Sequence, residues 1–231
     1  MGSKNKLKEN IKAIRANNDL TMQEFADSLG YKSKTTIAKM EAGVNDITFD
    51  QLIKLIDTYD ADFGNFYEFD DLELDLVRGC NVCDRIAKIK SKDNPYFVKE
   101  LKSGYVVLGD YQRFKGYTIF ICKQHVTDLH QIPYIRRIKY LTELAIVEEA
   151  VHLAFSPNKI NIESLGNGDA HLHFHIFPRY EGDTPIPGPV WWLSKEEMFD
   201  EKYKPSKDEL KSLKRQLNEA LEIVMKKHYI C

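Results

Sequence analysis

Across residues 7–67 apolar side chains recur at helical spacing: Leu7, Ile11 and Ile14; Phe25, Ala26 and Leu29; Ile37 and Met40; Leu52, Ile53, Leu55 and Ile56. Residues three and four apart share one face of an α-helix, so this pattern predicts a run of short helices. Thr21-Met22-Gln23-Glu24 and Thr48-Phe49-Asp50-Gln51 each place a hydroxyl three residues before a Glu or Gln. That spacing lets each end satisfy the other's backbone N–H, and it marks two helix starts. Gly30 follows the second helix, where a C-terminal cap belongs. Residues 68–75 are acidic and carry no clear period.

Beyond Gly79 the period changes. Residues 105–108 and 117–122 are β-branched or aromatic runs, while 159–165 and 172–176 alternate apolar and polar at period two, as strands do. A helix is expected over 135–155, between the second and third runs. A proline-rich loop at 185–189 precedes Trp191-Trp192. Leu210, Leu213, Leu217, Leu221 and Val224 form a stripe that predicts a last helix over 207–227. The expected organisation is a small all-α domain at 1–68, an acidic linker at 69–78 and an α+β domain at 79–231.

Composition narrows the setting. The chain has 231 residues, 43% of them hydrophobic and 29% charged, which suits two folded domains. Its apolar runs fall short of the roughly 20 residues that span a bilayer, and its first residues do not form a secretory signal. A cytoplasmic chain without membrane contact is expected. The net charge of −2 offers no global attraction for nucleic acid. Of four cysteines, Cys80 and Cys83 form a C-x-x-C pair, whereas Cys122 and Cys231 are scattered free thiols. In a reducing compartment the close pair points to metal or redox chemistry.

The densest chemistry lies at His171-Leu172-His173-Phe174-His175-Ile176-Phe177. On a strand the three histidines stand on one face, about 7 Å between successive members, and Leu172, Phe174 and Ile176 face the other way. Such a row can be a metal site, a nucleophile with helpers, or an exposed stripe. A histidine nucleophile suits phosphoryl or nucleotidyl transfer, because imidazole attacks phosphorus in line and leaves a labile phosphoramidate. Neighbouring N–H groups would neutralise the phosphate oxygens. The preceding Gly166-Asn167-Gly168-Asp169 lets backbone approach a phosphate closely.

The seven residues fit the His-x-His-x-His-x-x pattern, x being apolar, and this stretch resembles the histidine-triad superfamily. The resemblance implies an antiparallel sheet with helices and a commonly dimeric protein. His173 would form a nucleotidyl-histidine intermediate and His175 would hydrogen-bond the reacting phosphate. Asn161 matches an asparagine that contacts the phosphate or leaving-group region, and Gly166, Asn167 and Gly168 would line the phosphate. Pro178-Arg179-Tyr180 fits as well. The implied reaction is cleavage at the α-phosphate of a nucleotide conjugate or dinucleoside polyphosphate, releasing a nucleoside monophosphate. The chain departs from the pattern in its loop, which is short and presents Asn167 and Ala170 where many members carry Ser or Gln.

Two thiolates at Cys80 and Cys83 need two further ligands to complete a tetrahedron. Here the chain is also similar to zinc-containing histidine-triad proteins and galactose-1-phosphate uridylyltransferases. In these a third ligand follows a strand and the first triad histidine is the fourth. The resemblance implies a structural Zn2+ held by Cys80, Cys83, His125 and His171. His130 is a rival to His125, and His152 is expected on a helix face.

Residues 20–43 resemble the helix-turn-helix of Cro/repressor-type (XRE) regulators, and the likeness extends over about residues 6–67. It implies a recognition helix that begins near Ser33 or Lys34, ends at Met40, and offers Ser33, Lys34, Thr35, Thr36 and Lys39 to DNA. Residues 1–68 carry nine Lys or Arg against eleven Asp or Glu, a net of −2, so any DNA contact needs a local patch. Lys32, Lys34 and Lys39 can supply one, with Lys12 and Arg15 on the first helix. The alternative is a protein partner. Joined to the triad, the module also allows a nucleotide-sensing transcriptional regulator with slow or no hydrolysis.

Overall fold

The computed structural model describes residues 2–45, 47–61 and 76–228. Contacts divide the chain into two compact units, Met1–Asp70 with Met225–Cys231, and Asp71–Val224. Residues 69–75 of the expected linker, and Cys231, lie outside the described residues. Among the described residues no helix is long and apolar enough to cross a membrane.

The first unit holds four helices: α1 (Gly2–Asn17), α2 (Met22–Ser28), α3 (Lys34–Glu41) and α4 (Phe49–Tyr59). Both capping boxes form. The Thr21 hydroxyl accepts from Glu24 N at 3.3 Å, and Thr21 N donates to the Glu24 carboxylate at 2.8 Å. Thr48 and Gln51 repeat the exchange. Gly30 sits past α2 at φ +78°, a left-handed cap that favours glycine. Ile11, Ile14, Phe25, Ala26, Leu29, Ile37, Met40 and Leu55 are buried together, so the helical spacing converges on one core. Arg15 on α1 grips the Glu41 carboxylate of α3 at 2.6 and 3.1 Å and donates to the Leu20 carbonyl at 3.1 Å.

The second unit is built on a five-stranded sheet, ordered β1-β2-β3-β5-β4 with every neighbouring pair antiparallel. Its strands are β1 (Phe97–Glu100), β2 (Gly104–Leu108), β3 (Thr118–Cys122), β4 (Lys159–Glu163) and β5 (His173–Arg179). The helices are α5 (Asn81–Lys90), α6 (Tyr134–Phe155), the single turn α7 (Lys195–Met198) and, as far as Val224, α8 (Lys207–His228). The fold is α+β: helices alone in the first unit, then an antiparallel sheet with helices.

The pleat sends alternate residues to opposite faces. One face carries Phe120 and Phe174, both packed on Tyr140 of α6 at ring separations of 4.8 and 5.8 Å. Tyr105, Val107 and Ile121, on the other face, pack with Val82, Ile86 and Ile89 of α5. A buried carboxylate pins the hairpin between β1 and β2. Glu143 on α6 accepts from the backbone N–H of Lys102 at 3.1 Å and of Ser103 at 2.9 Å, beside Lys139 at 3.7 Å. Buried polar groups persist where their partners are supplied in this way.

Sequence periodicity left out α5, β1 and the single turn α7. α5 is only ten residues long, and its apolar positions are interrupted by Asp84, Arg85 and Lys88. β1 has four residues and shows no alternation of burial. β5 begins at His173 rather than at residue 172, so His171 precedes the strand instead of lying in it. Leu172 N nevertheless donates to the Val126 carbonyl at 2.6 Å, and Leu172 O accepts from Cys122 N at 3.1 Å, which fixes this approach to the strand.

Candidate active site and metal centre

Three elements bring four ligand-bearing residues together. Cys80 is the N-cap of α5 and Cys83 lies in its first turn, with Cys80 Sγ accepting from Cys83 N at 3.3 Å. His125 follows β3, and His171 precedes β5. The ligand atoms of Cys80, Cys83, His125 and His171 all lie within 4.8 Å of one another. Cys83 Sγ is 3.3 Å from His125 Nδ1 and 3.5 Å from His171 Nδ1, and Cys80 Sγ is 3.8 Å from His171 Nδ1. A tetrahedral ion with bonds of about 2.0–2.3 Å requires edges of roughly 3.3–3.8 Å, so the residues fit a four-coordinate metal. His171 Nε2 lies 2.8 Å from the Cys122 carbonyl. A carbonyl only accepts, so Nε2 carries the proton and Nδ1 turns its lone pair to the thiols. A carbonyl partner of this kind would hold the imidazole in the orientation a metal ligand needs. Burial pushes the Cys83 thiol up and His171 down, so each favours its uncharged form. His130 sits in a 3-10 turn, Leu129–Gln131, outside this cluster, and His152 is exposed on α6.

The other two histidines form a second, connected group on β5. His173 Nδ1 is 2.6 Å from the His171 carbonyl, which only accepts, so Nδ1 is the donor. His173 Nε2 is 3.0 Å from His175 Nε2, and His175 Nδ1 is 2.6 Å from the Tyr117 hydroxyl. Ser164 Oγ donates to the His173 carbonyl at 3.0 Å, tying the loop after β4 to β5. Burial, and then the neighbouring His173, push His175 down to about 4, so this ring is neutral near neutral pH. Trp191 stands edge-on to His175 at 5.7 Å.

The proposed phosphate-contacting residues divide in two. Asn161 pairs with Phe177 across β4 and β5, which puts it on the face of His175. Its Oδ1 accepts from Arg179 at 2.8 Å, leaving the amide N–H groups as donors. Gly166 has φ +66°, a left-handed turn that favours glycine. Asn167 and Gly168 are exposed in the same loop, and a Cβ on Gly168 would meet nothing within 4 Å. Arg179 enters the sequence pattern only through Pro178-Arg179-Tyr180. It also grips Asp183 at 2.7 and 2.9 Å and the Gly188 carbonyl at 2.8 Å, which anchors the proline-rich loop. An open cavity of about 1070 Å³ lies along β4 between Asn161, Glu163, Arg179 and this loop.

In the first unit, Lys34, Thr35 and Lys39 of α3 are exposed and Thr36 is half-buried. Ser33 is the N-cap, and its hydroxyl accepts from Thr35 N at 3.2 Å, so it serves the helix start. Arg15 is taken up by Glu41, which removes it from the expected basic patch.

A short helical bundle with an exposed third helix, and an antiparallel sheet bearing a row of histidines, define a helix-turn-helix module and a histidine-triad fold. Family comparison agrees: residues 11–64 match the helix-turn-helix model and residues 95–182 match the HIT domain model. The chain thus joins a helix-turn-helix module to a histidine-triad domain. Solved structures similar to it include a histidine triad protein from Sinorhizobium meliloti, 22% identical, covering 56% of this chain and 93% of that one at a TM-score of 0.48. Another is a hypothetical histidine triad nucleotide-binding protein from Sulfolobus tokodaii, 22% identical, covering 63% and 95% at 0.49. A zinc-bound histidine triad family protein from Mycobacterium smegmatis is 22% identical, covering 64% and 97% at 0.46. None of the curated proteins compared matches the chain.

Proposed function

We propose that residues 79–231 form a nucleotide hydrolase that cleaves a nucleotide conjugate or dinucleoside polyphosphate at its α-phosphate. The observation that carries this reading is the geometry of His173, whose Nδ1 is held by the His171 carbonyl at 2.6 Å while its Nε2 lies 3.0 Å from His175 Nε2. His173 attacks phosphorus, a P–N bond forms, and the bond to the leaving group breaks. Water then attacks the nucleotidyl-histidine, releases a nucleoside monophosphate and restores the imidazole. The N–H of His175 and the amide of Asn161 face the charge that develops on oxygen, and the backbone of Gly166, Asn167 and Gly168 completes the phosphate loop. A structural Zn2+ on Cys80, Cys83, His125 and His171 pins α5 and the β3 end to the approach of β5. A homodimer is the proposed assembly.

Acid quenching during turnover of a dinucleoside polyphosphate, followed by mass analysis, tests the mechanism. The expected product is a nucleotidyl adduct on the peptide that contains His173. Monophosphate release without any adduct would replace the covalent route with direct attack by water.

A second reading rests on the exposure of Lys34, Thr35 and Lys39 along α3. These residues contact DNA, with Thr36 at the helix edge and Ser33 holding its start, and nucleotide in the triad site alters DNA affinity. Selection from random duplexes, with and without nucleoside monophosphate, should enrich a sequence whose binding weakens about tenfold when Lys34 and Lys39 become alanine. Enrichment of no sequence under either condition would leave the module to a protein partner.

A further inference from the structure

Tyr117 is a half-buried polar group that the triad pattern leaves without a role. It precedes β3 and faces His175, its hydroxyl 2.6 Å from His175 Nδ1. The ring lies flat on Phe177, with centroids 4.2 Å apart and planes within 9°. Gly109 makes room for it, since a Cβ there would come within 2.1 Å of the Tyr117 ring. A phenol this closely held has a set geometry. Burial also pushes the phenol's pKa up, which keeps the proton on oxygen.

The direction of each hydrogen bond in the reactive form follows from one end of the chain. The His171 carbonyl only accepts, so His173 Nδ1 donates, and in the neutral imidazole that nucleophilic attack requires, His173 Nε2 is bare. His175 Nε2, 3.0 Å from that lone pair, must then carry the hydrogen. A neutral His175 with hydrogen on Nε2 has a bare Nδ1, and the Tyr117 hydroxyl is the donor that meets it. We propose that Tyr117 is a positioning residue: its phenolic proton locks His175 in the Nε2–H tautomer and so aims a neutral donor at the phosphate attacked by His173. Without the hydroxyl, His175 is free to move its proton to Nδ1. It would then present a lone pair to an anionic phosphate, which repels where donation is needed.

The assignment rests on the hydrolase reading for its kinetic consequence but not for the tautomer, so the two are measured separately on the full chain. Nitrogen-15 histidine spectra of the unmodified protein should show His175 protonated on Nε2. Tyr117→Phe, which keeps the stacked ring, should move signal towards the Nδ1–H form. The same variant should lose about 10–100-fold in kcat with KM within about threefold, because the donor acts on charge that develops during the reaction. Site-specific 3-fluorotyrosine at 117 keeps both ring and hydroxyl and should restore both readings to those of the unmodified protein, within about threefold in kcat. An Nδ1–H tautomer in the unmodified protein would overturn the proposal. So would Tyr117→Phe retaining both the tautomer and the full kcat. If the unmodified protein hydrolyses no nucleotide, the hydrolase reading falls, and the spectra still decide the tautomer.

Discussion

Replacing His173 by alanine is expected to lower nucleotide turnover by about 10⁴-fold or more, the scale seen when a nucleophile is removed from a covalent mechanism. The carbonyl of His171 holds Nδ1, which leaves Nε2, beside His175 Nε2, as the attacking atom of the neutral ring. Alanine removes the attacking atom and leaves the surrounding donors in place, so residual activity would report their contribution alone. His175→Ala should cost less, about 10²–10³-fold, since it deletes one donor to the phosphate and not the nucleophile. Steady-state release of nucleoside monophosphate measures both, and the acid-quenched adduct should vanish in the first variant. Because His173 is buried beside β3, thermal melting of each variant must show that the fold is retained. Turnover by a folded His173→Ala protein at the unmodified rate would place the nucleophile elsewhere.

The parts of this architecture readable in sequence are those set by local chemistry. The two capping boxes need only three-residue spacing, and both form. The triad needs only a period of two, which β5 supplies for His173 and His175. His125 was legible through family resemblance, since 42 residues separate it from Cys83 and no periodicity links them. Tyr117 was not legible as a partner. It lies 58 residues from His175, and it meets that ring only through the antiparallel register of β3 and β5. Arg15 shows the opposite failure. Its charge counted towards a DNA patch, but Glu41, 26 residues away, takes up the guanidinium. Charge and periodicity report what a residue can do, whereas partners across the fold decide what it does. The same limit hid α5, whose start is capped by the sulfur of Cys80 rather than by Ser, Thr or Asp.

Stripping the metal should destabilise the second unit and silence the triad together, because one residue joins the two sites. His171 offers Nδ1 to the ligand cluster, while its own carbonyl holds the proton of His173 Nδ1. A free His171 ring can leave its place against the Cys122 carbonyl, and the carbonyl that fixes His173 then moves with it. Structural zinc contributes on the order of 10 kcal/mol to folding in small zinc domains, so even a fraction of that would unfold a marginal sheet. Purified protein should contain about one zinc per chain by elemental analysis, since the four clustered residues suffice for one tetrahedral ion. Cys83→Ser should lower metal content and melting temperature and reduce turnover well over tenfold, although Cys83 touches no proposed substrate contact. Less than half a zinc per chain, with both thiols reduced, would discard the metal. Full metal loss with unchanged turnover would cut the link through His171.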